Sequence, residues 1–174
     1  ADPSPTCLPS ATPTPTPIPI EEPVRIEIPA ISVATDIVQV GVTPDNIMEI
    51  PEEFTTVGWY KNGVKPGEQG AAILKGHYYT TTGHPAVFFS ISQLNMGDEI
   101  YIFTKDEKQL TFIVDTILSH PLEDFPKDIV YGKFEGKGIK LITCDGIWNP
   151  AKRSYTNRLV VTAYVEDGMK ENIK

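Results

Sequence analysis

Cys144 ends the apolar run Gly138-Ile-Lys-Leu-Ile-Thr-Cys and is followed at once by Asp145-Gly146, a turn signal, which places a thiol at a strand end. A thiolate attacks carbonyl carbon and forms a thioester, so a cysteine aimed by rigid backbone suits acyl transfer. Two further reactive groups occupy similar places. His77 closes the strand-like Ala71-Ala-Ile-Leu-Lys-Gly, and Arg158 opens Arg158-Leu-Val-Val-Thr-Ala-Tyr-Val. A thiol of unperturbed pKa about 8.5 needs positive charge nearby to ionise, which a protonated imidazole and a guanidinium supply. His77 would then move protons in both directions, while Arg158, always charged, would polarise a carbonyl. Spacing alone leaves a plainer reading standing. Alternation puts Ile142 and Cys144 on one face and Leu141 and Thr143 on the other, and a thiol on a strand face can fill the core.

Each role has competitors. His84 follows Thr80-Thr-Thr-Thr-Gly83 in a loop, where it suits a groove lining better than proton transfer, and His120 precedes Pro121 after a long strand. Arg153 also lies between Cys144 and the last strand. Thr143 and the N–H after Cys144 are candidates to support an oxyanion. Trp148, in the loop 145–155, is a candidate groove wall, whereas Phe88 and Phe89 read as core. Glu49, Glu52, Glu53, Glu123 and Asp124 invite a calcium site, but they lack the spacing of a dedicated loop and equally suit an acidic surface, so no metal or other cofactor is expected. Cys7 sits in a Pro-rich stretch, so no bridge to Cys144 and a free exposed thiol are expected.

The elements that must hold these groups are strands. After Pro23 come short segments rich in Val, Ile, Thr, Phe and Tyr at residues 24–28, 35–40, 47–50, 71–75, 99–104, 109–118, 139–144 and 158–165, with turns at Lys65-Pro66-Gly67 and Met96-Gly97-Asp98. Eight short strands point to an all-β closed barrel or sandwich. Val87, Ile91 and Leu94 repeat at helical spacing within 86–94, and Pro126 suits a first helical turn near 124–130, so one or two short helices are expected.

With 174 residues, 40% of them hydrophobic, the chain suits one globular domain at 24–167, preceded by a Pro/Thr-rich stalk at 1–23 and followed by a polar tail at 168–174. The stalk has too few large apolar side chains to offset ordering and favours an extended spacer or a plain disordered linker. A net charge of -8, with 15 basic residues scattered along the chain, speaks against nucleic acid as a partner. No run approaches the roughly 20 apolar residues that span a bilayer.

Leu141-Ile-Thr-Cys144, Gly76-His77, and Arg158 leading into Val160-Val-Thr-Ala163 resemble, in order, the three signature motifs of sortases. Trp59-Tyr60, Gly83-His-Pro-Ala-Val-Phe-Phe, Gly97-Asp-Glu and Ser154-Tyr155 resemble the class F branch. The likeness spans about Ile26 to Val165 and implies the eight-stranded sortase barrel with His77, Cys144 and Arg158 catalytic. It implies cleavage of a Leu-Pro-any-Thr-Gly sorting signal between Thr and Gly, with transfer of the acyl group to an amine. The implied partners are sorting-signal-bearing surface proteins and an amine acceptor, a peptidoglycan precursor or a pilin lysine. The implied place is the outer face of the cell membrane, with an N-terminal tether. Other readings of the same residues are a different cysteine peptidase, an L,D-transpeptidase, or a non-catalytic adhesion module with a buried Cys144.

Overall fold

The computed structural model describes residues 19–166; Cys7, the tail at 168–174 and most of the expected stalk lie outside them. Along the chain run β1 (Pro23–Ile28), β2 (Val33–Val40), β3 (Val57–Tyr60), β4 (Gly70–Lys75), β5 (Glu99–Thr104), β6 (Gln109–Pro121), β7 (Lys137–Asn149) and β8 (Ser154–Val165). They close into a barrel in the order β1-β2-β3-β4-β7-β8-β6-β5, which leaves no open sheet edge. β2 with β3 and β4 with β7 are parallel, and the other neighbours are antiparallel.

Two apolar layers decide which residues face where. Ile26, Trp59, Leu74, Phe88, Ile102, Phe112, Leu141 and Val161 fill the interior. On the outer face Ile73, Ile142 and Val160 form a second cluster with Val130, flanked by Met48, Tyr60 and Phe125. β7 is therefore covered on both sides and reads as a nearly continuous apolar run, with residues 138–143 all buried. The outer cover comes from the 41–56 segment and from the helix α1 (Lys127–Tyr131). Five residues are far below the length at which a helix is stable alone, so α1 depends on burying Val130.

The structure departs from the expected elements in four places. Residues 47–50 form no strand. Pro44 and Pro51 bracket them, and only the isolated Val42–Met48 bridge pairs there, so the segment crosses the outer face as a strap. The eighth strand is instead β3, which contains Gly58. A Cβ on Gly58 would meet Pro51 and the Val40 side chain at 2.9 Å, so glycine is what lets the strap lie against β3.

The expected helix at 86–94 is a string of turns with a single 3-10 turn at Ile91–Gln93. Its buried residues are Phe88, Ile91 and Leu94, spaced by three, which fits the three-residue 3-10 winding and not the 3.6-residue α period. Finally, Asp145-Gly146 does not end β7. Gly146 and Ile147 together oppose Thr156, a β-bulge with Gly146 at φ 81°, and the hairpin runs on to Asn149 and Ser154. The residues 145–155 are thus mostly strand.

Candidate active site

Cys144 is paired with Arg158 in the β7–β8 ladder, and Arg158 is paired with His120 in the β6–β8 ladder. On the other side of β7, Lys75 of β4 is level with Ile142, and the Gly76 N–H still donates to the Ile142 carbonyl at 3.2 Å. Carrying that parallel register on by two residues sets His77 beside Cys144. The four groups therefore follow one row, His120, Arg158, Cys144, His77, across strands about 4.8 Å apart. His77, Cys144 and Arg158 share the outer face with Ile73, Ile142 and Val160, each an even number of residues along the same strand line, and His120 joins them as the partner of Arg158. By that register the His77 backbone falls level with Cys144 on the neighbouring strand line, whereas a whole strand separates His120 from it.

His77 is held from three sides. Its Nε2 lies 2.7 Å from the Pro51 carbonyl, which can only accept, so Nε2 carries the hydrogen and Nδ1 is the acceptor of the neutral ring. The ring packs on Phe54 at 4.6 Å, and the His77 carbonyl accepts from the Phe88 N–H at 2.9 Å. Phe88 and Val87 come so close to Gly76 that a Cβ there would lie 2.6 to 2.8 Å from them. Thr143, expected as substrate support, is buried and donates its hydroxyl to the Gly76 carbonyl at 2.8 Å. It ties β7 to the backbone just before His77.

Arg158 donates to the Tyr155 and Asn157 carbonyls and to Ser154 Oγ at 2.8 to 3.2 Å. These bonds orient the guanidinium without neutralising it. Arg153, by contrast, lies in the hairpin turn at φ 48°, exposed, with its N–H toward the Pro150 carbonyl. Burial pushes the Cys144 thiol up, and Arg158, then Lys75, pull it back down. Lys75 is itself brought down to about 8, by burial first and then by Arg158, while Cys144 opposes that shift. Its Nζ donates to the Met48 carbonyl at 3.2 Å, so Met48 and Pro51 of the strap receive Lys75 and His77.

The sortase domain model matches residues 26–166. The chain belongs to the sortase family. A sortase D5 transpeptidase from Clostridium perfringens is 26% identical, with a TM-score of 0.60 over 83% of this chain and 78% of that one. Sortase C-1 from Actinomyces oris is also 26% identical, with a TM-score of 0.60 over 83% and 74%. Sortase A from Listeria monocytogenes, 22% identical, shares the fold with a TM-score of 0.61 over 82% and 86%. Comparison with curated proteins gave no match. As a sortase, the chain is a cysteine transpeptidase that processes sorting signals. The relatives named are of types D, C and A, so they support the family and not the class F branch.

In this sortase His84 stays within its own loop, where its ring and backbone bond only to Thr80 and Thr82. Trp148 is half exposed and pairs with Tyr155, whose ring it meets edge-on at 5.2 Å. Tyr155 also meets Tyr78 and Tyr79, and these meet Phe89, so an aromatic wall stands beside the sortase site. Among the acids, Glu49 accepts from the Gly41 N–H and Glu123 pairs with Lys152. Three contributors went unread in the sequence: Pro51, Lys75 and Tyr155. Lys75 had a signal, since a charge two residues before His77 in a strand shares its face.

Proposed function

We propose that this sortase cleaves a Leu-Pro-any-Thr-Gly signal between Thr and Gly and passes the acyl group to an amine. The pairing of Cys144 with Arg158 on one side and its juxtaposition with His77 on the other carries this reading. The Cys144 thiolate attacks the Thr carbonyl, and the oxygen that becomes negative is met by the uncompensated guanidinium of Arg158. His77 protonates the departing glycine amine as the C–N bond breaks, leaving a thioacyl enzyme. It then takes a proton from the incoming amine, which attacks the same carbon and releases the thiolate.

Beyond Lys75 the outer face of β4 opens into a cavity of about 730 Å³ lined by Tyr60, Ile73, Tyr131 and Phe134. Ile73 lies four residues before His77, roughly 13 Å along a strand, while the Leu of an extended signal lies roughly 10 Å from the Thr carbonyl. The apolar end of the signal therefore suits this cavity. Trp148 is proposed as a groove wall. The acceptor is a cell-wall precursor or a pilin lysine, and the working place is the cell surface. No helix of the described residues is long and apolar enough to cross a membrane.

Incubation with a Leu-Pro-Glu-Thr-Gly peptide and triglycine, followed by mass spectrometry, tests the reading. Cleavage after Thr, a transfer product and an acyl adduct on Cys144 are expected. No adduct from any peptide of this pattern overturns it.

A further inference from the structure

We infer that Lys75 is a second cation of the site, which acts with Arg158 to favour the Cys144 thiolate before substrate arrives. The inference rests on Cys144 being the nucleophile of the proposed reaction. Lys75 and His77 are successive outer-facing positions at the end of β4, and Ile142 and Cys144 are their neighbours on β7. Strand spacing and rise put the Lys75 and Cys144 backbones roughly 8 Å apart on the diagonal, within the span of a lysine side chain. The Lys75 amine is tethered by one neutral acceptor, the Met48 carbonyl at 3.2 Å.

The charges around it are arranged unusually for so acidic a chain. Among the described residues, the ion pairs involve Arg25, Lys108 and Lys152, and neither Lys75 nor Arg158 has a carboxylate within 4.0 Å. Two part-buried cations without an anion cost stability, and the group both of them act on is the thiol. The coupling is mutual: Lys75 lowers the thiol, and the thiolate in turn raises Lys75.

The other titratable groups facing the site leave that assignment intact. His77 comes from just past β4, Arg158 and Tyr155 from β8, Asp145 from β7, and Tyr131 from α1 against Arg158. Asp145 accepts from Ser119 Oγ at 2.5 Å. Burial pushes both tyrosines up, so they stay neutral at physiological pH. Arg158 keeps its charge throughout. Lys75 is thus the cation whose charge is lost as pH climbs above about 8, unless the thiolate has formed first.

Alkylation of Cys144 by iodoacetamide reads the thiolate without any peptide, so a failure of sorting-signal turnover leaves this test standing. The protein and its K75M, K75Q and K75R variants are alkylated across neutral and alkaline pH, and the Cys144 peptide is followed by mass spectrometry so that Cys7 does not contribute. K75M and K75Q are expected to move the midpoint upward and to slow alkylation at neutral pH several-fold, while K75R restores the original profile. K75Q retains an amide donor for the Met48 carbonyl and separates charge from tethering. Superimposable profiles for K75Q and the unmodified protein, with unchanged melting, overturn the inference. So does a K75R profile that matches K75M.

Discussion

Cys144 and Arg158 are direct partners across the β7–β8 ladder, five residues into β8 and well inside β7, not at the two strand ends. Three acceptors fix the guanidinium, and in the proposed reaction it would act on the carbonyl that the thiol attacks. Replacing it by alanine removes a donor from a preorganised anion site, a loss worth about 10²–10³ in kcat. R158A is expected to fall by that amount in peptide cleavage. R158K should recover little, because an ammonium cannot reproduce the fork held by Tyr155, Asn157 and Ser154. R153A, in the hairpin turn, should keep near-normal turnover. Steady-state cleavage assays decide it, and loss in R153A alone would reverse the assignment.

The order of strands separates the histidines. The β4–β7 register carried on by two residues brings His77 level with Cys144, while His120 stands two strands away, roughly 10 Å, beyond the reach of a proton transfer without relays. H77A is expected to lose about 10²–10⁴ in kcat, and H120A to change it little. Single-turnover mass spectrometry adds detail: H77A should slow formation of the acyl adduct, not only its resolution. Persistent turnover in H77A would sink the role.

Much of the barrel was legible because its strands carry β-branched and aromatic residues bounded by Gly and Pro, as in β5 and β6. What escaped depended on neighbours far along the chain. Gly58 gives no sign of its use until Pro51 is seen lying against it. Asp145-Gly146 reads as a turn until Thr156 is found opposite the bulge. The choice between His77 and His120, or Arg153 and Arg158, is a matter of cross-strand register, which no local pattern contains. That the Thr143 hydroxyl donates to the Gly76 carbonyl was likewise hidden in the sequence, since the two lie far apart along the chain.

The strap offers a test remote from the chemistry. Gly58 admits Pro51, and the Pro51 carbonyl holds His77 Nε2, so a methyl group at Gly58 acts on His77 through one backbone contact. A Cβ at 2.9 Å from Pro51 and Val40 forces one of them to move, an overpacking cost of about 1–3 kcal/mol. G58A is expected to melt lower and to lose turnover, and the alkylation profile of Cys144 should change less than turnover does. Full activity in G58A would show that the strap does not position His77.

Lys75 makes a prediction about stability whose sign follows from burial. Its pKa falls from 10.5 in the free side chain to about 8 in the fold, so between those values the unfolded chain binds the extra proton. Stability from this group therefore rises as pH climbs through that window. Below about 8 both states are charged and the full cost of burying the cation is present; above 10.5 both are neutral and it is gone. K75M carries no such cost. Its melting temperature is expected to exceed that of the unmodified protein near neutral pH, with the gap narrowing from about pH 8 toward 10.5. Cys144 titrates in the opposite sense, its raised pKa favouring the fold less as alkali ionises the unfolded thiol, so the comparison belongs in a C144A background. There a gap that stays constant across the window would mean that Lys75 titrates as an ordinary exposed lysine.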